Sequence, residues 1–109
     1  MLFFSKKLPD DILIQNFWDW FGSYRKTIEA YFVHETGDMQ DVINAVDREI
    51  IKATPLCKRE RRFEFGGKAP NWELFVFHLG DGYLKKCVVR MMELMPEDLK
   101  KTWTMRTGK

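Results

Sequence analysis

Apolar residues recur at three- and four-residue steps through the first third of the chain, a period that predicts one long amphipathic helix. The helix starts at Pro9-Asp10-Asp11, where the acidic pair suits the positive end of the helix dipole, and stops at Thr36-Gly37. Its apolar stripe is Leu13, Ile14, Phe17, Trp20, Phe21, Tyr24, Ile28, Tyr31 and Phe32. A stripe of this width has to be covered by a second layer of structure.

A second helix follows, and then the apolar period changes to two. The helix runs from Asp38 to the Thr54-Pro55 step, where the residue before proline disfavours helix. Arg62-Phe63-Glu64-Phe65 alternates polar with aromatic residues and predicts a strand. After a turn-rich loop over 66–71, the apolar run over 72–79 predicts a strand that is buried on both faces for most of its length.

Gly80-Asp81-Gly82 ends that strand and precedes a third helix, which stops at Pro96. Thr102-Trp103-Thr104-Met105-Arg106 alternates again and predicts a last strand. The order ααββαβ over residues 1–109 predicts one α+β domain. We expect a three-stranded antiparallel sheet of order 2-1-3, with the last strand beside the first and the helices on one face.

Composition and charge narrow the class of protein. The chain has 109 residues, 45% of them hydrophobic and 31% charged, as expected for one folded soluble domain. No apolar run approaches the roughly 20 residues of a membrane-spanning helix, and the opening Met1-Leu2-Phe3-Phe4 is too short for a signal sequence, so we expect a cytoplasmic protein that does not bind membranes. Cys57 and Cys87 are then expected to be reduced and mostly buried.

The residue pattern also resembles a family of small, uncharacterised bacterial proteins. The matching pieces are Phe17-Trp18-Asp19-Trp20-Phe21, the strand Glu73-Leu74-Phe75-Val76, the turn Asp81-Gly82, the helix break at Pro96 and the final-strand Trp103. The turn departs from the family pattern, because relatives have a small-residue Ala-Asp-Gly sequence where this chain has bulkier residues. The resemblance implies an α+β fold and a bacterial, cytosolic setting, but no reaction and no ligand.

The two tryptophans in this block give the first candidate site. Trp18 lies about 100° from Phe17 on a helix, so it falls at the rim of the apolar stripe. One interpretation is that Trp18 packs against the second or third helix. The other is that Trp18, Gly22 and Arg25 form a protein interface, because Trp and Arg are enriched at binding hot spots.

The basic run Lys58-Arg59-Glu60-Arg61-Arg62 gives the second candidate site. Residues 58–109 carry twelve Lys and Arg against seven Asp and Glu, whereas the net charge of the whole chain is only +2. Phosphate contacts from this run, with bases stacked on the strand aromatics, would bind nucleic acid. Glu60 and Glu64 interrupt the positive charge, so a solvated loop is the alternative. The candidate contacts are Lys58, Arg59, Arg61, Arg62 and Lys68.

Metal and catalytic patterns are weak. The histidines and cysteines show no C-x-x-C or H-x-x-x-H spacing, so we expect no metal and no cofactor. His78 with Asp81, Glu73 or Cys87 is the one cluster that resembles a catalytic arrangement, and Gly80-Asp81-Gly82 could hold an anion. We identify no catalytic residue.

These observations favour a non-enzymatic protein-interaction or structural module. Its expected partner is a protein or a second copy in a homodimer, reached through a sheet edge or through the rim around Trp18. Nucleic-acid binding through 58–68 is the first alternative. A small-molecule binder or enzyme around His78 and Asp81 is the second.

Overall fold

Three helices lie against one face of a three-stranded sheet in the computed structural model, which describes residues 7–109. The elements are α1 (Asp11–His34), α2 (Met39–Ala53), β1 (Phe63–Lys68), β2 (Asn71–Phe77), α3 (Gly82–Leu94) and β3 (Trp103–Gly108), with a short 3-10 turn at Leu99–Lys101 before β3. The predicted order ααββαβ is confirmed. The opening Met-Leu-Phe-Phe, on which the expectation about a signal sequence depended, lies outside the described residues.

An aspartate caps the N-terminus of every one of these three helices. The Oδ1 atom of Asp10 accepts hydrogen bonds from two N–H groups of the first turn of α1, and Asp38 does the same for α2. Asp81 accepts one from the N–H of Leu84 in α3. Each cap provides a partner for helix-terminal donors that otherwise have none.

The sheet differs from the predicted order 2-1-3. Its order is β1-β2-β3, so β2 is the central strand. β1 and β2 form the predicted antiparallel hairpin, but β3 pairs with β2 and runs parallel to it, with Trp72 opposite Trp103. The sheet is therefore mixed, and the prediction that β3 lies beside β1 in a purely antiparallel sheet was wrong.

Two physical constraints explain this arrangement. A strand–helix–strand unit brings the chain back to start the second strand at the same end as the first, so β2 and β3 become parallel neighbours. β2 also carries apolar residues on both faces, which suits a central position better than an edge. The double-sided apolar pattern predicted from the sequence for this strand thus belongs to the centre of the sheet.

Aromatic rings join α1 to the sheet. The ring of Phe21 meets Trp103 of β3 edge-on, with centroids 5.0 Å apart, and Phe32 meets Phe65 of β1 at 5.6 Å. Trp72 and Trp103 stack on neighbouring strands with centroids 6.1 Å apart. Such pairs add about 0.5–1.5 kcal/mol each to the free energy of burying their surface.

Trp18 is buried inside this core. Its side chain is only 2% exposed, and its indole N–H donates a hydrogen bond of 2.9 Å to the carbonyl oxygen of Met91 in α3. Met91 lies in the last turn of α3, so this hydrogen bond joins α1 to the C-terminal end of α3. The prediction that Trp18 packs against another helix is confirmed. The ring is therefore unavailable as an exposed anchor.

Replacing Trp18 by Phe removes the buried hydrogen bond from the indole to the Met91 carbonyl. We expect the free energy of unfolding to fall by about 1–3 kcal/mol. Trp20→Phe is the matched control, because Trp20 is only half-buried against Tyr24. Urea titrations followed by circular dichroism measure both, and equal losses for the two variants would contradict the role given to the indole hydrogen bond.

Candidate interaction surface

β1 is an edge strand. Within residues 7–109 it pairs only with β2, so its other side carries unpaired backbone groups. The N–H of Phe77 donates to the carbonyl of Arg62 at 2.7 Å. Because hydrogen-bonded pairs alternate along an antiparallel ladder, Glu64 and Gly66 also face β2. The backbone groups of Phe63 and Phe65 therefore point away from β2, toward the free edge.

An apolar depression lies beside this free edge, between β1, the N-terminal half of α2 and the end of α1. We call it the edge groove, and its volume is about 370 Å³. Phe32, Met39, Ile43 and Phe65 are half-buried there, so apolar surface remains accessible. The groove is lined by Phe32, Met39, Gln40, Ile43, Arg61, Phe63, Glu64 and Phe65.

A buried carboxylate holds the loop that leads into β1. Asp47 of α2 is 7% exposed, and it accepts a hydrogen bond of 3.0 Å from the N–H of Arg61. The Arg61 guanidinium lies 3.2 Å from the other carboxylate oxygen. Arg61 also has a φ of 61°, a left-handed conformation that needs such support in a residue other than glycine. Asp47 thereby fixes where β1 begins.

Arg62 supports the same loop from inside. It is 1% exposed, and its guanidinium donates to the carbonyls of Arg59 and Cys57 and to the hydroxyl of Thr54. Burial lowers the pKa of Arg62. The Nη1 atom has no hydrogen-bond partner in the part of the chain that the structure describes. Because the buried side chain ties three loop residues together, its role is structural.

Two thiols lie near Arg62 and are both free. Cys87 is buried and Cys57 is half-buried, close to the reduced and mostly buried state expected from the sequence. Burial raises the pKa of the Cys87 thiol, and it raises the pKa of the neighbouring Tyr83 to about 12. Both groups are therefore protonated at neutral pH, which is the inert form of a cysteine.

The other residues of the predicted Trp18 interface have internal roles or open surroundings. Arg25 pairs with Glu29 at 3.0 Å, and the same Glu29 oxygen accepts the indole N–H of Trp103 at 2.7 Å. Arg25 therefore supports the contact between α1 and β3. Gly22 is exposed, and a Cβ added there would have no atom within 4 Å, so no neighbouring backbone explains the glycine.

The predicted nucleic-acid contacts do not form one exposed set. Lys58, Arg59 and Lys68 are exposed, but the side chain of Arg62 is buried and cannot reach a phosphate. Arg61 is exposed and already paired with Asp47. Sequence reasoning could not separate the buried arginine from its neighbours, because the alternation over 62–65 does not show that the loop folds back over Arg62.

His78 and Asp81 serve the turn between β2 and α3. The Nδ1 atom of His78 accepts a hydrogen bond from the N–H of Gly80, and Asp81 caps α3. Neither residue lines the edge groove.

Within residues 7–109, no three His, Cys, Asp or Glu side chains come close enough together to hold a metal ion. No helix in this range is both long and apolar enough to span a bilayer.

Two further apolar surfaces lie elsewhere on the sheet. At the β3 edge, a depression of about 290 Å³ is lined by the buried Met95, Trp103 and Met105 and by the half-buried Met92. On the face of the sheet opposite the helices, Phe75 and Phe77 pack on each other with centroids 4.9 Å apart. The ring of Phe75 also covers Gly108, where an added Cβ would lie 2.9 Å from it.

Sequence reasoning missed the groove residues. Met39 and Ile43 were assigned to the buried stripe of α2, and a helical stripe does not show which of its members another element leaves uncovered. A free edge at β1 follows once β2 is placed at the centre. The one sequence signal that could have located the groove was therefore the double-sided apolar pattern of β2, which places β2 at the centre and β1 at an edge.

No family model matches this chain, and neither a curated protein nor a solved structure does. The resemblance to the small bacterial family therefore stays a prediction.

Asp47 variants separate its two contacts to Arg61. Asp47→Ala loses both the backbone and the guanidinium contact, and we expect the free energy of unfolding to fall by about 1–3 kcal/mol. Asp47→Asn keeps an oxygen for the backbone N–H and loses only an ion pair with a half-exposed arginine, so its loss should stay within about 1 kcal/mol. Chemical denaturation measures both. Equal losses for the two variants would show that the backbone hydrogen bond does not hold the loop.

Proposed function

We propose that this chain is a non-enzymatic protein-interaction module that binds an extended protein segment along β1. The observation that carries the proposal is the unpaired backbone edge of β1 directly beside the apolar edge groove. Extended segments bind to such edges by adding a strand to the sheet. The family resemblance and the aromatic composition are compatible with this role but do not carry it.

Backbone pairing provides the affinity in this mode of binding. Phe63 and Phe65 direct their N–H and C=O groups to the free edge, where an added strand would form two further pairs of hydrogen bonds. Unpaired edges also attract unwanted strands, and proteins limit this with charges and distorted backbone. β1 has exposed Glu64 and Lys68, and a left-handed Gly67 close to its end. The straight part available for pairing is therefore short.

Side chains of the bound segment provide the specificity. Alternate residues of an added strand point to the helix-covered side of the sheet, where the edge groove lies. Its half-buried lining is aliphatic and aromatic, so we expect apolar residues at every second position of the bound segment. Arg61 at the rim adds a polar contact.

The two alternatives have less support. Nucleic-acid binding through 58–68 loses Arg62 as a contact, because that side chain is buried. An enzyme or small-molecule site around His78 and Asp81 would need both side chains to face a cleft, whereas their observed hydrogen bonds are to the N–H groups of the turn and of α3.

Met39→Glu tests the proposed groove. Met39 is the first residue of α2, where an acid suits the helix dipole, so the fold should tolerate the change while a charge enters the groove. Peptides selected from a random display library against the wild-type chain should bind the variant at least about tenfold more weakly, since a desolvated charge in an apolar contact costs more than about 1.4 kcal/mol. Isothermal titration calorimetry measures the affinities, and amide chemical shifts of Phe63 and Phe65 locate the peptide.

Val89→Glu is the matched control, because Val89 is an apolar residue on α3 that is 42% exposed. Its peptide affinities should equal those of the wild type. Selected peptides that bind Met39→Glu as tightly as the wild type, or a selection that yields no binding peptide, would contradict the proposal. Salt-dependent binding of single- or double-stranded nucleic acid by the same samples would favour the first alternative.

A further inference from the structure

We infer that the segment bound at the β1 edge is β1 of a second copy, so that two sheets join across a two-fold axis into one sheet of six strands. This inference rests on the proposed function and names its partner. Two antiparallel copies of one strand bury the same surface on both chains, as a two-fold interface requires. The charges on β1 select how the copies align.

Glu64 and Lys68 are the two charged side chains of β1. Both are exposed, and alternation with the inward-facing Phe63 and Phe65 places them on the uncovered face of the sheet. Within residues 7–109 neither of them has an ion-pair partner. The free edge therefore carries a negative and a positive charge on the same face, four residues apart.

The alignment of two antiparallel β1 strands decides which charges meet. With the axis at Glu64, the two glutamates face each other and repel. With the axis at Phe65, Glu64 faces Gly66 of the second copy and forms no ion pair. With the axis at Gly66, each Glu64 faces Lys68 of the other copy, so two opposite-charge pairs form at once. Charge complementarity thus favours the axis at Gly66.

The alternation of backbone groups along β1 sets the pairs in this alignment. The outward-facing groups belong to alternate residues, so Phe65 would lie opposite Gly67 of the second copy, and this pair requires the left-handed Gly67 (φ 75°) to become extended when the strands join. Glu64 and Lys68 would then form non-hydrogen-bonded pairs, in which side chains approach most closely. At the axis itself Gly66 meets Gly66, and the absence of side chains there leaves no clash between the two strands.

The apolar lining gives the dimer its second contact. A two-fold axis perpendicular to the sheet keeps the helices of both copies on the same side. The two edge grooves then adjoin each other, so half-buried Phe65, Met39 and Ile43 of one copy can be covered by the same residues of the other.

Charge reversal tests both the partner and the alignment. E64K alone and K68E alone each place like charges at both contacts, so each should raise the dimer dissociation constant by about tenfold or more. An equimolar mixture of the two variants should regain dimers, because every contact between the different chains then joins Lys with Glu. Sedimentation equilibrium over a wide concentration range measures the masses, and circular dichroism verifies folding.

E97K and K100E are the matched controls, since Glu97 and Lys100 pair with each other at 2.8 Å on the surface of one chain. They change net charge by the same amounts and should leave self-association and its mixtures unchanged. If either reversal at β1 unfolds the chain, E64Q and K68Q replace it, and each should weaken the dimer less than tenfold.

A wild-type chain that stays monomeric at the highest concentration would overturn the inference, as would a dimer that neither β1 variant weakens. Weakening by both variants without recovery in their mixture would overturn the alignment at Gly66. The proposed function fails separately, through the absence of groove-dependent peptide binding. A monomer that still binds selected peptides would therefore reject the second copy as partner and retain the interaction module.

Discussion

The fold depends on the burial of the aromatic stripe of α1 against the helix-facing side of the sheet. Phe17, Phe21 and Trp103 are each at most 2% exposed, and fully burying one such side chain contributes about 1.5–3 kcal/mol. This contact fixes two further features. It sets β3 beside β2 under α1, and it places Trp18 against the end of α3, where the indole provides a partner for a helix-terminal carbonyl. The packing of the helices on the sheet therefore depends on the burial of one apolar stripe.

Features of the fold that depend on nearby residues could be predicted from the sequence, whereas features that depend on contacts between distant segments could not. The helices and their aspartate caps follow from local pattern, since apolar period and capping residues act within a few positions. The strand order does not follow from local pattern, because it depends on which strands pair after α3 crosses the sheet. The central position of β2 was nonetheless encoded in its double-sided apolar run, and using that run would have corrected the predicted order 2-1-3.

The candidate site was harder to predict than the fold, and two arginines show why. Arg61 and Arg62 are neighbours in one basic run, yet one side chain is exposed and the other is 1% exposed. The difference arises from the left-handed conformation of Arg61 and its contact with Asp47, which lies fourteen positions earlier. No local pattern encodes such a contact. A count of basic residues therefore overstates the positive surface of this loop.

A three-stranded sheet must leave two edges, and this chain treats them differently. At β3 most apolar residues beside the edge are buried, with Met92 half-buried, and the preceding turn carries Lys100 and Lys101. At β1 the adjoining Phe63 is buried but the other apolar neighbours are half-buried, although Asp47 and Arg62 hold the start of the strand in place. A rigid strand costs little conformational entropy when a second strand pairs with it. The proposal that β1 receives a partner strand therefore depends on this combination of a fixed backbone with incompletely covered apolar neighbours.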